Sequence, residues 1–465
     1  MNYPAKLDHK FIWHPFTQMR DWLKREPIVI VEGNGTILRD IRGREFLDAN
    51  SSIWTNLHGH QNPKINAAIR RQLKKIAHSS GLGLANEPAG LLAEKLVQAA
   101  NSKIKTQNQK LSKVFFSDDG STALEVALKL AHEFSQRVGH KKHPKFLSLE
   151  GAYHGDTVGA VSLGHIDLFH KNYSALLFKT DKVMSPYCYR CPFNRAKPER
   201  DDARNYRKCN WECVGGVEKK FTTQKKKGNP YAAFIFEPLI QGAAGMIPQP
   251  EGWLKQTAEI ARNYGALLVA DEVMTGFGRT GKLFACQHED VQPDFLCLAK
   301  GLTGGYLPMA ATLTTQKVFD AFLGKYEEFK TFFHGHSYTG NQLGAAAALA
   351  SQEILQGALS VFARTRLEKN LREELKLLWQ FPNVGDIRQV GLIAGIELVK
   401  NWRTRALFDL RERAGIRVCE AMARRGVLTR PIGNVIVLMP PYCTTRVQLQ
   451  KMISALCEAV AVCFR

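Results

Sequence analysis

The stretch of sequence that decides the fold covers residues 263–281, Asn-Tyr-Gly-Ala-Leu-Leu-Val-Ala-Asp-Glu-Val-Met-Thr-Gly-Phe-Gly-Arg-Thr-Gly. Its apolar run ends in two carboxylates, Asp271 and Glu272. A second apolar run, residues 295–299, ends in Lys300, which is followed by a glycine. Each run predicts a buried strand with a charged group at its C-terminal end, where open α/β sheets bind their ligands. An acid and an amine in one crevice are what pyridoxal phosphate chemistry requires, the amine for a Schiff base and the acid for the ring nitrogen.

The overall composition is that of an ordinary globular protein. The chain has 465 residues, of which 45% are hydrophobic and 23% are charged, and this length is enough for two or three domains. No apolar run approaches the ~20 residues of a membrane span. Residues 1–20 lack the apolar middle segment of a signal peptide. We therefore expect a soluble, cytoplasmic protein with small-molecule substrates and no membrane partner.

The net charge of +21 arises from 64 basic and 43 acidic residues, and it raises the possibility of nucleic-acid binding. The basic residues are dispersed, however, and the densest clusters, at residues 70–75 and 225–227, are short. No module that combines basic and aromatic residues is present. We expect a basic, solvated surface and no nucleic-acid partner. A basic nucleic-acid-binding protein on a degenerate enzyme fold is kept as an alternative hypothesis.

Four of the ten cysteines are clustered. Cys188 and Cys191 form a C-x2-C pair, and Cys209 and Cys213 form a C-x3-C pair. Two such pairs ~17 residues apart resemble a zinc ribbon or knuckle. Two interpretations remain open, a structural metal site and unmetallated thiols in a loop insertion over residues 181–229. Neither interpretation gives a metal a part in the chemistry.

The pattern along the chain predicts three regions. Residues 1–55 form an N-terminal arm with a β-hairpin that belongs to a small domain. Residues 56–340 form a large domain, in which short apolar strands alternate with helices and build a mainly parallel sheet covered on both faces. Residues 341–465 form a smaller α+β domain that begins with an alanine-rich helix. Its predicted elements are helices over 359–378 and 404–425 and strands over 392–398 and 435–438.

Three further motifs lie where strands end or helices begin. Gly120 and Ser121 begin a helix, where free backbone N–H groups and the helix dipole can hold a phosphate, although Ser-Thr is also an ordinary helix cap. Tyr153 follows a strand and could stack on a planar ring or simply pack. Glu237 ends another strand, and such a carboxylate is expected either to be used or to pair with an arginine.

Asp271 and Lys300 make the chemical prediction specific. A pyridinium nitrogen stays protonated only beside an anion, and this pairing is strong in a dry site. Asp271 would provide that anion. Lys300 would bind the cofactor covalently and then act as the base that moves a proton. A buried salt bridge between these two residues is the structural alternative.

With these motifs assembled, the chain resembles the class III aminotransferases of the fold-type I pyridoxal-phosphate-dependent transferases. The similarity runs from about residue 11 to 445 and is most specific over 267–281 and 299–301. The other matching segments are Ser117–Glu125, Ala152–Thr157 and His334–Asn341. The resemblance implies an α/β fold with a mainly parallel sheet, a smaller α+β C-terminal domain and pyridoxal 5'-phosphate as the cofactor.

The resemblance also implies how each cofactor-binding residue acts. Lys300 carries the cofactor and Asp271 holds its pyridine nitrogen, while the ring lies between Tyr153 and Val273. The catalytic residues are then Lys300, Asp271 and Tyr153. The phosphate is bound by Gly120 and Ser121, and Ser337 binds the phosphate of the neighbouring subunit's cofactor. The active unit is accordingly expected to be a homodimer with active sites at the subunit interface.

Within the family, three segments are similar to the branch that aminates 8-amino-7-oxononanoate to 7,8-diaminononanoate in biotin biosynthesis. These segments are Ile12–Met19, Ser51–Trp54 with His58–His60, and Thr429–Gly433 with Met439–Tyr442. The resemblance implies that Arg430 holds the substrate carboxylate, a bidentate task suited to a guanidinium. The implied substrate-binding residues are Phe16, Trp54, Lys300, Gly335 and Arg430.

The amino donor is the least certain part of this prediction. Phe16 stands where members of the branch that use S-adenosyl-L-methionine commonly have tyrosine, and Ile53 stands where they often have tryptophan. A relative of this branch uses L-lysine, and Phe16 is compatible with that donor. Both donors therefore remain open. Another class III aminotransferase, acting on ornithine, 4-aminobutyrate or a diamine, is the nearest alternative function.

Overall fold

A computed structural model describes residues 1–102, 109–138 and 143–464. Its strands have the following bounds: β1 Ile30–Asn34, β2 Ile37–Asp40, β3 Glu45–Asp48, β4 Leu111–Ser117, β5 Lys145–Leu149, β6 Asp181–Val183, β7 Tyr231–Phe236, β8 Ile240–Gln241, β9 Ile247–Pro248, β10 Leu267–Asp271, β11 Phe295–Leu298, β12 Ala310–Thr315, β13 Val384–Val390, β14 Ile393–Asn401, β15 Ala406–Leu407, β16 Val427–Leu428, β17 Pro431–Ile432 and β18 Val435–Leu438.

The α-helices have the following bounds: α1 Tyr3–Phe11, α2 Met19–Trp22, α3 Ser51–Trp54, α4 Pro63–Leu73, α5 Glu87–Ala100, α6 Gly120–Arg137, α7 Val158–Leu163, α8 Asp167–His170, α9 Ala203–Tyr206, α10 Glu212–Lys226, α11 Trp253–Asn263, α12 Gln316–Asp320, α13 Gln342–Gln356, α14 Ala358–Leu375, α15 Ala414–Ala423 and α16 Arg446–Cys463. No helix in the described ranges is long and apolar enough to cross a membrane.

The central sheet has the strand order β4-β12-β11-β10-β7-β5-β6 in the described chain. The pairs from β11 to β6 are parallel, while β12 runs antiparallel to both β11 and β4. Every residue of β7, β11 and β12 is buried, as expected for strands covered on both faces. The predicted α/β class with a mainly parallel sheet is confirmed.

Two smaller sheets lie outside the central sheet. The hairpin strand β1 pairs with β2, β2 pairs with β3, and β3 pairs in parallel with β16 near the other end of the chain. The second sheet has the order β13-β14-β18-β17, with β15 added at β14. The N-terminal arm and the C-terminal region therefore share one sheet, because Val427 lies opposite Leu47.

Some predicted elements differ from the structure. A helix over residues 404–425 is wrong in its first half, because α15 begins only at Ala414, after Arg413 at a left-handed φ of 55°. The strand β12 was missed, because its alanines and threonines lack the large aliphatic side chains that marked the other strands. Two parts of the segment 181–229, which was predicted to be an insertion, belong to the central fold. Its first residues form β6 of the central sheet and its last part forms α10, which packs on α11.

Candidate active site

The acid and the lysine of the opening motif lie at one edge of the central sheet. Strands β10 and β11 are parallel neighbours, and Asp271 is in register with Cys297. Lys300 follows Cys297 by three residues and therefore emerges at the same carboxyl edge. The two predicted groups are brought together, as the strand pattern required.

The two adjacent acids at the end of β10 face different environments. The Asp271 carboxylate accepts hydrogen bonds from Nδ1 of His154 at 2.7 Å and from the amide of Val273 at 3.0 Å. Glu272 instead accepts from the amides of Ala285 and Cys286, at 2.6 and 2.9 Å. Only Asp271 therefore points into the crevice.

His154 is the partner that the sequence did not assign to Asp271. Burial lowers the pKa of His154, but the hydrogen bond and the charge of Asp271 outweigh burial and leave that pKa raised. The imidazole is completely buried, and its Nε2 has no hydrogen-bond partner among the described residues. The hydrogen bond from His154 therefore orients the Asp271 carboxylate in a dry environment.

Lys300 is held apart from Asp271. Its Nζ lies 4.7 Å from the centroid of the Trp54 ring, and within the described ranges no ion pair joins it to Asp271. Burial lowers the pKa of Lys300, and the charge of Arg279 acts in the same direction, against the opposing effect of the nearby carboxylates. A lysine with a lowered pKa is more readily deprotonated and becomes a better nucleophile.

Glu237 does not pair with an arginine in the described structure. Its carboxylate accepts from the amide of Tyr153 at 3.2 Å and from that of Gly242 at 2.8 Å. Burial raises its pKa to about 7, and the charge of Asp271 adds to this rise, while His154 opposes it. Glu237 thus fixes the backbone that carries Tyr153, and its carboxyl group titrates near physiological pH.

A cavity of about 460 Å³, the inner cavity, lies at this sheet edge. The predicted cofactor-binding residues that line it are Gly120, Ser121, Tyr153, Asp271, Val273 and Lys300. The Tyr153 hydroxyl donates to Asp156 at 2.7 Å, and one side of its ring stacks at an interplanar angle of 11° with His170. Burial and the hydrogen bond to Asp156 raise the pKa of Tyr153, so its ring is a neutral wall of the cavity.

The start of α6 forms a tight cradle in the inner cavity. Asp119 caps the helix by accepting from the amide of Thr122 at 2.9 Å. The preceding amides, of Gly120 and Ser121, have no acceptor in the described part of the chain. A Cβ on Gly120 would lie 2.7 Å from Cγ1 of Val273. The close backbone, the free amides and the acid–lysine pair fit a small phosphorylated pyridine such as pyridoxal phosphate.

A second cavity of about 600 Å³, the outer cavity, adjoins the first. Trp54, Tyr153, Ala243 and Lys300 line both cavities. Of the predicted substrate-binding residues, those that line the outer cavity are Phe16, Trp54, Lys300 and Arg430. A route bounded by apolar side chains therefore leads from the lysine to a guanidinium.

Ser337 and Gly335 lie elsewhere. Both are exposed, and neither lines the inner or the outer cavity in the described structure. The carbonyl of Ser337 accepts a hydrogen bond from His78 at 2.9 Å, which holds this loop against residues preceding α5. Within one chain the structure does not bring these two residues to the site.

The four clustered cysteines lie near one another and are free thiols. Burial is the main cause of the raised pKa of Cys188, to about 12, and of Cys213, to about 11, and the other thiols of the cluster add to it. Among the described residues, however, no group of three or more His, Cys, Asp or Glu side chains is arranged to hold a metal ion. The thiols are held by other contacts, such as that between Cys209 and Arg207 at 3.1 Å.

Several residues of the two cavities were not identified from the sequence. Phe169 packs against Phe16 at 5.3 Å between ring centroids, and Arg413 lines the outer cavity with Arg430. Neither has a local motif that could reveal it. Outside the two cavities, the buried Arg279 stands within the glycine-rich motif that follows Asp271, so a signal for it was present.

The fold and the site together define a pyridoxal-phosphate-type aminotransferase architecture, with an acid and a lysine at the carboxyl edge of a mainly parallel sheet. The family described as "Aminotransferase class-III" matches residues 19–460. This chain belongs to the class III aminotransferases and is an enzyme of that type.

Individual relatives extend the comparison. The chain is 46% identical, over 97% of its length and 96% of the relative's, to the adenosylmethionine-8-amino-7-oxononanoate aminotransferase of Geobacter sulfurreducens. It is similar to the crystal structure of the enzyme with the same name from Methanocaldococcus jannaschii, with a TM-score of 0.89, 40% identity and coverage of 99% and 98% of the two chains. A pyridoxal-phosphate-bound amine transaminase from an uncultivated Pseudomonas species gives a TM-score of 0.88 at 33% identity, with coverage of 97% and 99%.

Proposed function

We propose that this chain is the pyridoxal-phosphate-dependent transaminase that converts 8-amino-7-oxononanoate to 7,8-diaminononanoate in biotin biosynthesis. The observation that carries the proposal is the outer cavity, which joins Lys300 to Arg430 along apolar walls. A substrate with a reacting keto group, an aliphatic middle and a distant carboxylate matches this order of groups. The names of relatives at 40–46% identity over nearly the whole chain support the same substrate.

The residues of the inner cavity are proposed to hold the cofactor. The amides at Gly120 and Ser121 bind its phosphate, and Tyr153 and Val273 enclose its ring. Asp271, held by His154, keeps a negative charge at the ring nitrogen. When bound, pyridoxal phosphate supplies an electron sink for the reacting carbon.

The remaining steps belong to side chains of this protein. Lys300 takes a proton from the reacting carbon of the donor and returns one to that of the acceptor, since its lowered pKa makes the amine more readily deprotonated. Arg430 binds the acceptor carboxylate, and Trp54 with Phe16 excludes water along the aliphatic part. The same lysine serves both halves of a ping-pong reaction.

We propose S-adenosyl-L-methionine as the amino donor, in agreement with the names of the relatives. L-lysine is the second candidate, favoured by the single observation that Phe16, a residue without a hydroxyl group, lies at the outer cavity and packs on Phe169. The apolar wall at this position offers no hydroxyl group to a ligand. It therefore gives no reason to prefer a sulfonium ligand over an aliphatic amine.

A purified-enzyme assay tests both parts of the proposal. The enzyme is incubated with 8-amino-7-oxononanoate and a panel of donors, including S-adenosyl-L-methionine, L-lysine, ornithine and 4-aminobutyrate. We expect 7,8-diaminononanoate with the first donor and no product from Lys300→Ala. Product with L-lysine alone would show that L-lysine, and not S-adenosyl-L-methionine, is the amino donor. Turnover of ornithine or 4-aminobutyrate without turnover of the oxononanoate would show that the proposed substrate is wrong.

The cofactor is tested separately from the substrate. The purified protein is expected to absorb at ~410–430 nm, the range of lysine-bound pyridoxal phosphate. Lys300→Ala removes this band while free cofactor can still be bound. A protein without the band, which binds duplex DNA in a salt-sensitive manner, would instead favour the nucleic-acid-binding alternative.

We further propose a homodimer in which Ser337 of each subunit completes its neighbour's phosphate site. The exposed position of Ser337, outside both cavities of its own chain, supports this arrangement. Lys300→Ala and Ser337→Glu proteins are unfolded together and refolded as a mixture. Hybrid dimers contain one site with both native residues, so activity should rise above that of either variant. No rise on mixing would place Ser337 outside the partner's site.

The domain division and the cellular location are part of the same proposal. Residues 1–55 and 341–465 form the small domain, supported by the pairing of β3 with β16, and residues 56–340 form the large domain. The cytoplasm is the proposed location, since all ten cysteines are free thiols, as is usual in a reducing compartment. Limited proteolysis that released a stable fragment ending near residue 340 would test the division.

A further inference from the structure

Asn434 brings an unpaired polar group to the outer cavity. The residue is 8% exposed and lines this cavity together with Arg430 and Lys300. Its Oδ1 is buried and has no hydrogen-bond partner in the described structure. Within the described ranges, no other residue of the outer cavity has a buried side-chain nitrogen or oxygen without a partner. A buried carbonyl acceptor is unfavourable unless a donor binds it.

The other end of the same side-chain amide is held in place. Nδ2 of Asn434 donates to the carbonyl of Phe408 at 2.8 Å. This bond assigns the two ends of the amide, because only its nitrogen can donate to a carbonyl. Oδ1 cannot replace Nδ2 in that contact without placing two acceptors against each other. The unpaired oxygen therefore has a fixed direction.

The backbone around Asn434 is equally constrained. The residue lies in the turn that joins β17 to β18, after Gly433 with a left-handed φ of 57°. Its carbonyl accepts from the amide of Leu398 in β14 at 2.8 Å. A Cβ on Gly415 would lie 2.3 Å from the carbonyl oxygen of Gly433, so α15 packs closely against the turn. A ligand that binds such a rigid acceptor pays little conformational entropy.

Asn434 belongs to the part of the outer cavity that the inner cavity does not share. Leu410 and Ile416 line the same part and remain 52% and 37% exposed. Arg413 and Arg430 bring two positive charges there. Apolar side chains beside a carbonyl acceptor suit a flat ring that carries an amino group. The cations favour a neutral amino group over a charged ammonium group.

The proposed acceptor has no group for this oxygen. The amino group of 8-amino-7-oxononanoate is next to the reacting keto group, and its other end is a carboxylate, which cannot donate when ionised. S-adenosyl-L-methionine reacts through its α-amino group and carries adenine, whose 6-amino group is a neutral donor. In a ping-pong reaction the two substrates occupy the cavity in turn. One residue can therefore serve one substrate alone.

We propose that Asn434 is a specificity-determining residue for the amino donor, and that its Oδ1 accepts a hydrogen bond from an amino group remote from the reacting amine. In S-adenosyl-L-methionine this group is the 6-amino group of adenine. In L-lysine that reacts through its ε-amine, the corresponding N–H donor is the α-amino group. The inference rests on the proposed function for the transamination, but not for the identity of the acceptor.

Asn383 provides a matched control. It is half-buried, and its Nδ2 also donates to backbone carbonyls, those of Val399 and Lys400 at 3.2 Å each. It lines neither the inner nor the outer cavity. Asn434→Leu and Asn383→Leu both remove an amide that holds the backbone, but only the first removes an acceptor from the outer cavity. Asn434→Asp, ionised at pH 8, keeps an acceptor and loses the donor to Phe408.

The first experiment follows each half-reaction of the cofactor-loaded enzyme separately. The donor removes the band at ~410–430 nm as the cofactor is converted to its pyridoxamine form, and the dependence on donor concentration gives an apparent Kd. We expect Asn434→Leu to bind S-adenosyl-L-methionine roughly tenfold more weakly. Asn383→Leu and Asn434→Asp should stay close to the wild type. The apparent Kd of the acceptor, measured in the return of the band, should be unchanged in Asn434→Leu.

The second experiment identifies the group that Oδ1 binds. One pair of donors is S-adenosyl-L-methionine and its analogue with oxygen in place of the 6-amino group. The other pair is L-lysine and 6-aminohexanoate, which lacks the α-amino group. In the wild type the analogue should bind roughly tenfold more weakly than its parent, and Asn434→Leu should remove this difference. A difference in the first pair identifies adenine as the ligand group, and a difference in the second pair alone identifies the α-amino group of L-lysine.

The outcomes separate this inference from the proposed function. A loss of donor affinity in Asn434→Leu alone, with unchanged acceptor affinity, supports the inference. Native donor affinity in that variant, or an equal loss for donor and acceptor, overturns it, as does an equal loss in Asn383→Leu or Asn434→Asp. If Asn434→Leu does not fold, Asn434→Ala carries the same test against Asn383→Ala. A wild-type protein whose band no amino donor removes refutes the proposed transamination and this inference together.

Discussion

Replacing Glu237 by glutamine should remove a pH dependence from the stability of this protein. Glu237 is 6% exposed and accepts two backbone amides, and burial raises its pKa to about 7 from an ordinary value of 4.5. Glutamine has nearly the same shape but cannot ionise. It can accept only one of the two amides, which imposes a constant penalty that does not vary with pH.

The direction of the pKa shift determines whether the stability of the wild type rises or falls with pH. Between pH 4.5 and 7 the folded protein keeps a proton on Glu237 that the unfolded chain has lost. Wild-type stability therefore falls as the pH rises through this window and levels off above pH 7. From pH 5.5 to 8 the loss due to this group is about 2 kcal/mol, from about 1.4 kcal/mol per pH unit over about 1.5 units.

Urea unfolding at pH 5.5, 7 and 8, with the same cofactor concentration throughout, measures this difference. The free energy of unfolding of the wild type should fall between pH 5.5 and 8 by about 2 kcal/mol more than that of Glu237→Gln. Other groups, including Glu272, whose pKa burial also raises to about 7, contribute equally to both proteins. Parallel pH profiles for the two proteins would refute the reasoning.

Asp40→Asn provides a control of opposite sign. Burial acts to raise the pKa of Asp40, but hydrogen bonds from Arg44 and from backbone amides outweigh it and leave the pKa lowered. Its stabilising effect is present above the unfolded pKa and is lost as the pH falls through the folded pKa. Asp40→Asn should therefore flatten the acid side of the profile and leave the window from pH 5.5 to 8 unchanged.

The remaining predictions concern the two cavities. Gly120→Ala should weaken cofactor binding by about tenfold or more, measured by titrating the cofactor-free protein, because the new Cβ would lie 2.7 Å from Val273; unchanged affinity would exclude a close approach of this backbone. Arg430→Met should raise KM for the keto acid by roughly 10- to 100-fold with little change in kcat, since a charged hydrogen bond to the carboxylate is lost. Arg413→Met should not have this effect, because Arg413 is already paired with Asp21 at 3.0 Å. Equal effects of the two substitutions would move the carboxylate to a site shared by both arginines. Asp271→Asn should lower the pKa of His154, since the hydrogen bond and charge of Asp271 would no longer oppose burial, and should reduce kcat; an unaltered pH profile of kcat would argue against this pair at the ring nitrogen.

The central sheet could be predicted because its strands are local features. A short run of buried apolar residues bounded by glycines or acids predicts a strand without information from the rest of the chain. The prediction failed where that signal was weak, as in β12, whose alanines and threonines are buried because helices such as α6 pack against the strand. It also failed over residues 404–413, because α15 begins only after Arg413, whose left-handed conformation interrupts the predicted helix.

The candidate site likewise contains residues that the sequence predicted and contacts that it did not. The proposed cofactor-binding residues of the inner cavity follow strand ends or begin a helix, so their positions could be inferred from short motifs. The alternatives considered for Glu237 did not include its actual partners, the amides of Tyr153 and Gly242. A carboxylate that binds backbone leaves no signature in the sequence, because any residue can provide an amide.

By itself, the sequence determined that Asp271 and Lys300 lie at the carboxyl edge of a parallel sheet, because strand order and alternation follow from local hydrophobic pattern and from the rules for α/β connections. Only the tertiary structure decided that His154, and not Lys300, is the partner of Asp271, and that Trp54 and Arg430 share one cavity with Lys300. These contacts join residues more than a hundred positions apart. They depend on the packing of separate elements, whose distances and orientations no local pattern of residues specifies.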